Sequence, residues 1–152
     1  MLIEKAQFED LAEILSLQKL AYQSEAAICN DYTIPPLVQT LEGIREDFKK
    51  QLILKATSSG KIVGSIRAFE KDGTCYIGKV IVDPDQQNLG LGSSLMHAIE
   101  EHFKHCRRFE LFTGKNSVKN NYFYQKLGYR IFKEEPQHEQ LTLVYLEKNN
   151  QS

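Results

Sequence analysis

The stretch that decides the fold is Val80-Ile81-Val82-Asp83-Pro84-Asp85-Gln86-Gln87-Asn88-Leu89-Gly90-Leu91-Gly92-Ser93-Ser94-Leu95. In it an apolar strand ends at a proline, a polar loop follows, and two glycines open an amphipathic helix. The first turn of a helix leaves about four backbone N–H groups unpaired and carries roughly half an elementary positive charge. Glycine has no Cβ, so a ligand can approach its backbone closely. The stretch therefore predicts a loop that binds a phosphate or pyrophosphate group.

Two familiar phosphate-binding motifs do not fit this stretch. A Walker A loop requires Gly-Lys-Ser/Thr, whereas Gly92 is followed by Ser93-Ser94. A dinucleotide-binding fingerprint requires Gly-x-Gly-x-x-Gly, whereas position 95 is Leu95. The loop is therefore expected to belong to another class of phosphate-binding protein.

Two helices and four strands are predicted upstream of the stretch, and hairpin turns join the last three strands. The apolar spacing from Leu11 to Tyr22 is typical of an amphipathic helix, and the composition from Asn30 to Pro36 is typical of a loop. A second helix is expected at 37–50. Asp72-Gly73 is a strong hairpin signal. The predicted strands of this half are 2–6, 52–57, 62–70 and 74–82.

Helices and strands alternate downstream of the stretch. Helices are predicted at 92–103 and 117–127, the second stopped by Gly128, and strands at 109–113, 129–133 and 141–147. Strand hairpins in the first half, followed by alternating helices and strands in the second, predict an α+β fold of the αβα sandwich type. Its central sheet is expected to be mixed, mostly antiparallel, with helices on both faces. No linker or repeat interrupts the chain, so we expect residues 1–152 to form a single domain.

Two motifs in this order resemble a known family. Gln87-x-x-Gly90-x-Gly92, preceded by Val80-x-Val82-x-Pro84, resembles the pyrophosphate-binding motif of the GNAT superfamily of acetyl-CoA-dependent N-acetyltransferases. Phe123-Tyr124-Gln125-Lys126-Leu127-Gly128-Tyr129 resembles the Tyr-x-x-x-Gly-Phe/Tyr helix end of the same family. The predicted fold is similar to the GNAT fold from start to finish, so the resemblance implies a GNAT-like sheet and acetyl transfer.

The resemblance implies roles for individual residues. Backbone groups at 80–82 would pair with the pantetheine arm and polarise the thioester carbonyl, and backbone N–H groups at 87–93 would hold the pyrophosphate. Many members carry Asn where this chain has Ser117, so Asn116, Ser117 and Asn120 all remain candidates for contact with the coenzyme. Basic residues from Lys115 to Lys126 are candidates for contact with its phosphates. The expected cofactor-binding residues are Val80, Ile81, Val82, Gln87, Asn88, Leu89, Gly90, Leu91, Gly92, Ser93 and Asn120.

The reaction implied by the resemblance is direct attack of a primary amine on acetyl-CoA in a ternary complex. A lysine-like amine has a pKa of about 10.4, so holding it neutral at pH 7 costs roughly 4.6 kcal/mol. The departing thiol has a pKa near 8.5, and a phenol with a pKa of about 10 can protonate it as it leaves. Tyr124, which the resemblance places at the coenzyme sulfur, is the expected general acid.

The proton acceptor and the amine itself are less defined by the sequence. Glu25, Asp31, Glu70, Asp72 and a bridging water are all candidate bases. The segment 22–47 holds five acidic residues against a single arginine, while 104–130 holds seven basic residues against a single glutamate. We therefore predict that the acidic segment attracts a cationic small-molecule or peptide amine, with Glu25 and Asp31 as substrate-binding residues.

Composition excludes several other classes of protein. The 152 residues carry a net charge of −1 with no long basic run, which disfavours nucleic acid as a partner. No stretch approaches the roughly 18–20 apolar residues that cross a bilayer, and the N-terminus lacks the pattern of a secretory signal. Three widely spaced cysteines argue against a disulfide framework. We therefore expect a cytoplasmic protein with no membrane partner.

Three further expectations follow. The spacing of His97, His102 and His105 does not match a His-Glu-x-x-His motif, so no metal is expected. Relatives in the GNAT family are often dimers, so a homodimer paired through 129–147 stays open. The alternative function is a GNAT-shaped module that senses acyl-CoA or binds a protein without turnover.

Overall fold

Seven strands form one central sheet in the computed structural model, which describes residues 1–87 and 89–150. The spatial order is β1-β2-β3-β4-β5-β7-β6. Only the β4–β5 neighbours run parallel; the other five neighbouring pairs are antiparallel. The strands are β1 (Leu2–Lys5), β2 (Leu52–Ser58), β3 (Lys61–Lys71), β4 (Thr74–Val82), β5 (Arg108–Gly114), β6 (Arg130–His138) and β7 (Leu141–Asn149).

Six helices pack against this sheet in the described residues, and short 3-10 turns at Phe8–Asp10 and Pro84–Gln86 precede two of them. They are α1 (Leu11–Ala21), α2 (Gln23–Cys29), α3 (Pro35–Val38), α4 (Leu41–Lys50), α5 (Leu91–His102) and α6 (Val118–Lys126). None of them is long and apolar enough to cross a bilayer.

The two faces of the sheet have separate apolar cores. On one face α5 places Leu95, Met96 and Ile99 against strand residues such as Leu54 and Leu146. On the other face α1 and α4 bury residues that include Leu11, Ile14 and Ile44 against Ile53, Ile62 and Ile81. β3 lies between both layers, and it is buried continuously from Ile62 to Ala68. The predicted sandwich of a mostly antiparallel sheet between helices is confirmed.

Several element boundaries differ from the prediction. The expected helix at 37–50 begins only at Leu41, because the Thr40 side chain caps it by accepting a hydrogen bond from the Gly43 N–H at 3.0 Å. The helical pattern that starts at Leu11 breaks at Tyr22 and continues as α2. The strand expected at 129–133 runs on to His138. These differences leave the order of the strands unchanged.

Candidate functional site

A cleft opens where β4 and β5 separate. The two strands pair only from Thr74 to Tyr76 and from Arg108 to Glu110. Beyond that point β4 has no partner strand on its β5 side. The space between them is a cleft of about 1080 Å³ lined by β3, β4, β5, β7, α2, α5 and α6. Its floor therefore carries unpaired β4 backbone, the kind of edge to which an extended ligand can add as a strand.

A β-bulge in β4 shapes the floor of this cleft. Ser65 is opposite Ile81 and Arg67 is opposite Gly78, so β4 contains one extra residue between these two pairs. Lys79 adopts a left-handed backbone with φ of 51°, which is rare for a residue with a side chain. The extra residue reverses the alternation of side chains, because successive residues of a strand face opposite sides. As a result Val80 and Val82 pack against the α5 side and Ile81 is fully buried against α1 and α4.

One end of the cleft is the start of α5. Gly90 has φ of 81°, and its carbonyl accepts the first helical hydrogen bond from the Ser94 N–H at 3.1 Å. The preceding N–H groups have no partner within the helix, and Gly90 has no side chain to cap them. Of the expected residues of the loop, the cleft is lined by Gln87, Gly90, Leu91, Gly92 and Ser93.

The remaining loop residues differ in placement. Asn88 lies outside the described residues. The Leu89 side chain is 72% exposed and does not line the cleft. Lys119 donates a hydrogen bond to the Gln87 side chain at 3.2 Å, which places an ammonium group beside the loop. Asn120 also lines the cleft and donates to the Thr113 hydroxyl at 3.3 Å.

The two glycines of the motif are needed for different structural reasons. Gly90 is required by its positive φ, a conformation that other residues adopt only with strain. A Cβ at Gly92 would lie 3.1 Å from the ring of Phe123, so this glycine lets α6 pack closely on α5. Gly92 thus brings the helix that carries Tyr124 next to the start of α5.

Tyr124 lies on α6 at the wall of the cleft. It is 7% exposed and its ring contacts the rings of Phe123 and Tyr129 at centroid distances of 5.1 and 6.3 Å. Its hydroxyl makes no hydrogen bond with any residue that the structure describes. Burial, with the neighbouring Tyr22 and Glu25, raises the pKa of Tyr124, because the charged phenolate loses solvation. The Tyr124 hydroxyl is therefore protonated at neutral pH.

Glu25 lies at the same part of the cleft on α2. Ser117, at the start of α6, donates a hydrogen bond to its Oε2 at 3.0 Å. Burial raises the pKa of Glu25 above the ordinary range, although the Ser117 hydrogen bond acts in the opposite direction. Burial and the Glu25 charge together raise the pKa of Tyr22 to about 12. The contact between Ser117 and Glu25 joins the start of α6 to α2.

Asp31 lines the cleft but already has close partners. The Thr33 hydroxyl donates to Oδ1 at 2.6 Å and the Thr33 N–H at 2.8 Å, while His138 Nε2 lies 3.0 Å from Oδ2. These hydrogen bonds, those of Thr33 first, lower the pKa of Asp31. Asp31 therefore joins the α2–α3 loop to the end of β6.

The other candidate bases lie outside the cleft lining. Glu70 is 2.7 Å from His105 Nε2, and the Asp72 carbonyl accepts a hydrogen bond from Arg107 in the hairpin turn. Glu70, His105 and Cys106 bring their ligand atoms within 4.8 Å of one another. This group does not line the cleft. The expectation of no metal stays a prediction.

A buried polar network that the sequence analysis missed lies beneath the cleft. Arg67 on β3 is 1% exposed, and its guanidinium donates to Asp47 Oδ2 at 3.0 Å, to Gln39 Oε1 at 3.1 Å and to the side chain of Gln18. Its Nε has no hydrogen-bond partner. A single arginine in an otherwise apolar central strand was the available signal. Likewise, Gly78 within β4 was a signal for the bulge that brings Lys79 to the cleft.

The comparisons with known proteins agree with this architecture. A family model described as the acetyltransferase (GNAT) family matches residues 11–129. The chain is 36% identical over 75 residues to YdhI, an uncharacterized protein of Bacillus subtilis (strain 168), with 48% of this chain and 46% of that protein aligned. It is 29% identical over 126 residues to ycf52, an uncharacterized N-acetyltransferase of Porphyra purpurea, with 73% of this chain and 71% of that protein aligned.

Among solved structures, the fold is similar to that of PaiA N-acetyltransferase from Thermoplasma acidophilum in complex with coenzyme A. The TM-score is 0.80 at 16% identity, over 98% of this chain and 99% of that chain. This likeness shows that the chain shares the fold of that acetyltransferase. The chain belongs to the acetyltransferase (GNAT) family. The match to YdhI spans about half of that relative's length.

Proposed function

We propose that the protein transfers an acetyl group from acetyl-CoA to a primary amine of a small molecule or peptide. One observation carries the proposal: the unpaired edge of β4 leads directly to the uncapped start of α5. An extended pantetheine arm fits the edge of a strand, and a pyrophosphate fits a helix start with free N–H groups. The coenzyme in the PaiA structure supports this assignment.

The coenzyme would be held mainly by backbone. In this proposal Val80 and Val82 pair with the pantetheine arm, one N–H of 80–82 polarises the thioester carbonyl, and N–H groups of 87–93 bind the pyrophosphate. Ile81 and Leu89 would contribute backbone only, since their side chains lie outside the cleft. Asn120 and Lys119 would assist with their side chains, because both line the cleft and Lys119 contacts Gln87.

The chemical step would use groups from both walls of the cleft. The amine nitrogen attacks the thioester carbon and forms the new C–N bond, and the C–S bond then breaks. Tyr124 donates its proton to the departing thiolate, and Glu25 accepts the proton that the amine loses, directly or through a water. The raised pKa of Glu25 supports this role, because a carboxylate with a higher pKa is a stronger base.

Asp31 and Glu25 remain our proposed contacts with the amine. Asp31 would act beside His138 at the outer end of the cleft, where the acceptor enters. We further propose that residues 1–152 form a single domain that acts in the cytoplasm and needs no metal. A homodimer that pairs through 129–147 stays an open alternative to a monomer.

Two measurements test the proposal. Isothermal titration calorimetry with acetyl-CoA should show saturable binding, and a thiol-release assay across an amine library should show turnover that depends on the amine. Binding without turnover for any amine would favour the alternative of an acyl-CoA sensor. No binding by well-folded protein would refute both.

A further inference from the structure

One lysine has no partner among the described residues at the acceptor end of the cleft, the end where we propose that the amine binds. Several charged groups that line it have a close polar partner: Asp31 lies 3.0 Å from His138, Arg67 has Asp47 at 3.0 Å, Glu110 has Arg108 at 2.8 Å and Glu25 accepts a hydrogen bond from Ser117 at 3.0 Å. Lys119 is beside the phosphate loop, where an anion is expected. Lys79 lines the cleft without a salt bridge or a side-chain hydrogen bond to any described residue.

The position of Lys79 separates it from the phosphate loop. On β4, Val82 leads into the loop and Tyr76 lies toward the opposite end, a separation of six residues or roughly 20 Å. Lys79 is midway between them, beyond the stretch 80–82 that the pantetheine arm would occupy. A Cβ placed at the neighbouring Gly78 would meet no atom within 4 Å, so the cleft is open next to it.

The surroundings of Lys79 are unfavourable for an unpaired cation. The lysine is half-buried, and burial together with the charge of Arg67 lowers its pKa, with Asp47 only partly opposing the shift. Asp47 is already bonded to Arg67, and the Arg67 Nε is itself without a partner. A partly buried cation of this kind costs free energy unless an anion accompanies it.

The acidic segment does not supply that anion. Its five carboxylates are engaged elsewhere: Glu25 with Ser117, Asp31 with His138, Glu42 with Arg45, Glu46 with Lys49 and Asp47 with Arg67. The cluster of Arg67, Asp47 and Lys79 therefore keeps a net positive charge at the floor of the cleft. Beside it, Phe69 and Tyr76 form a stacked aromatic pair with a centroid distance of 5.3 Å.

We propose that the acceptor is an amine that also carries a carboxylate, as an amino acid does, and that Lys79 binds this carboxylate. The Arg67 network forms the floor of the cleft next to Lys79. This inference rests on the proposed acetyl transfer and refines its substrate class. The aromatic pair beside Lys79 favours acceptors with a flat or apolar side chain.

Matched acceptors test the proposal directly. We would compare L-phenylalanine with phenethylamine and L-tryptophan with tryptamine, pairs that differ only in the carboxylate. A charge-assisted hydrogen bond predicts a kcat/KM roughly 10- to 100-fold higher for the amino acid of each pair. Lys79→Met should abolish this preference, by lowering kcat/KM for the amino acid of each pair toward that of the amine without a carboxylate. Lys5→Met, an equivalent change on the edge strand β1 outside the cleft, should keep it.

Binding measured without turnover separates this inference from the proposed function. Calorimetry on the CoA-bound protein should show tighter binding of L-phenylalanine than of phenethylamine, and Lys79→Met should remove the difference. Equal affinities, a preference for the amines without a carboxylate, or a Lys79→Met variant that loses only acetyl-CoA affinity would overturn the inference. A retained binding preference without any acetylation would refute the proposed function alone.

Discussion

The two ends of the cleft are built in different ways. At the coenzyme end, where we propose that acetyl-CoA binds, the groups that face the cleft are backbone N–H groups, positioned by Gly90 and by the start of α5. At the acceptor end, where we propose that the amine binds, they are side chains from separate elements, among them Glu25 on α2, Arg67 on β3 and Lys79 on β4. Burial shifts the pKa of each of these three groups away from its ordinary value.

This difference has a chemical consequence. A backbone site depends on the path of the chain, so a common coenzyme can be bound by many sequences that keep the turn. A site made of side chains depends on which residues the fold brings together, so the acceptor can change from one member of a family to the next. Variants at each end should therefore affect different measurements.

The largest expected effect is on the chemical step between the two ends. Tyr124→Phe should lower kcat by roughly 10²–10⁴, because the thiolate loses its proton donor, and should leave acetyl-CoA affinity unchanged. Steady-state kinetics and calorimetry measure the two quantities. Tyr129→Phe is the control, since it removes a buried hydroxyl that donates to Glu100 outside the cleft. A Tyr124→Phe enzyme with normal kcat would exclude the general-acid role.

The next effect concerns the stability of the acceptor end. Arg67→Met should lower the free energy of unfolding by about 2–4 kcal/mol, because it removes the buried guanidinium and leaves the partly exposed Asp47 without its cation. The double variant Arg67→Met/Asp47→Leu should regain part of the loss. Urea unfolding at pH 7 measures both. Equal stability of the two variants would mean that Asp47 is solvated without Arg67.

A smaller effect is expected from the turn at the coenzyme end. Gly90→Val should cost about 1–2 kcal/mol, because the residue must keep a positive φ, and should weaken acetyl-CoA binding. Gly60→Val is a matched control, because Gly60 has φ of 78° in the turn between β2 and β3. If both variants lose the same coenzyme affinity, the loop geometry at Gly90 has no specific role.

The pH dependence of stability gives a further test at Glu25. Burial raises its pKa in the folded state, so the folded protein is favoured at low pH and loses this contribution as the pH rises through the folded pKa. Glu25→Gln keeps an acceptor for Ser117 and cannot ionise. Relative to the parent, this variant should therefore gain stability between pH 4 and pH 7 in thermal unfolding. Parallel pH profiles would show that Glu25 ionises in the fold without cost.

Removal of metal should have the smallest effect. Treatment with a chelator should leave both coenzyme binding and turnover unchanged, because the Glu70, His105 and Cys106 group lies outside the cleft lining. Activity that is lost with the chelator and restored by zinc would contradict this expectation.

Much of the architecture could be predicted from local sequence. Alternation in the strands, the Asp72-Gly73 turn and the apolar face of α5 are short-range patterns, and all three correspond to elements of the structure. The predicted start of α4 at Leu37 was wrong, because the Thr40 cap begins the helix at Leu41 although the apolar pattern begins at Leu37. Caps are decided by one hydrogen bond, which hydrophobic periodicity does not report.

The sequence by itself predicts the loop at 87–93 and the helix that carries Tyr124, because each depends on residues that are close together in the chain. Glu25 and Asp31 were also predicted from the sequence, but only the tertiary structure revealed the Arg67 network and the place of Lys79 beside it. Arg67, Asp47 and Lys79 are distant in the chain and become neighbours only when β3 pairs with β4 and α4 covers the sheet. The bulge at Lys79 then fixes which side of the strand each following residue faces, since one inserted residue reverses every side chain beyond it.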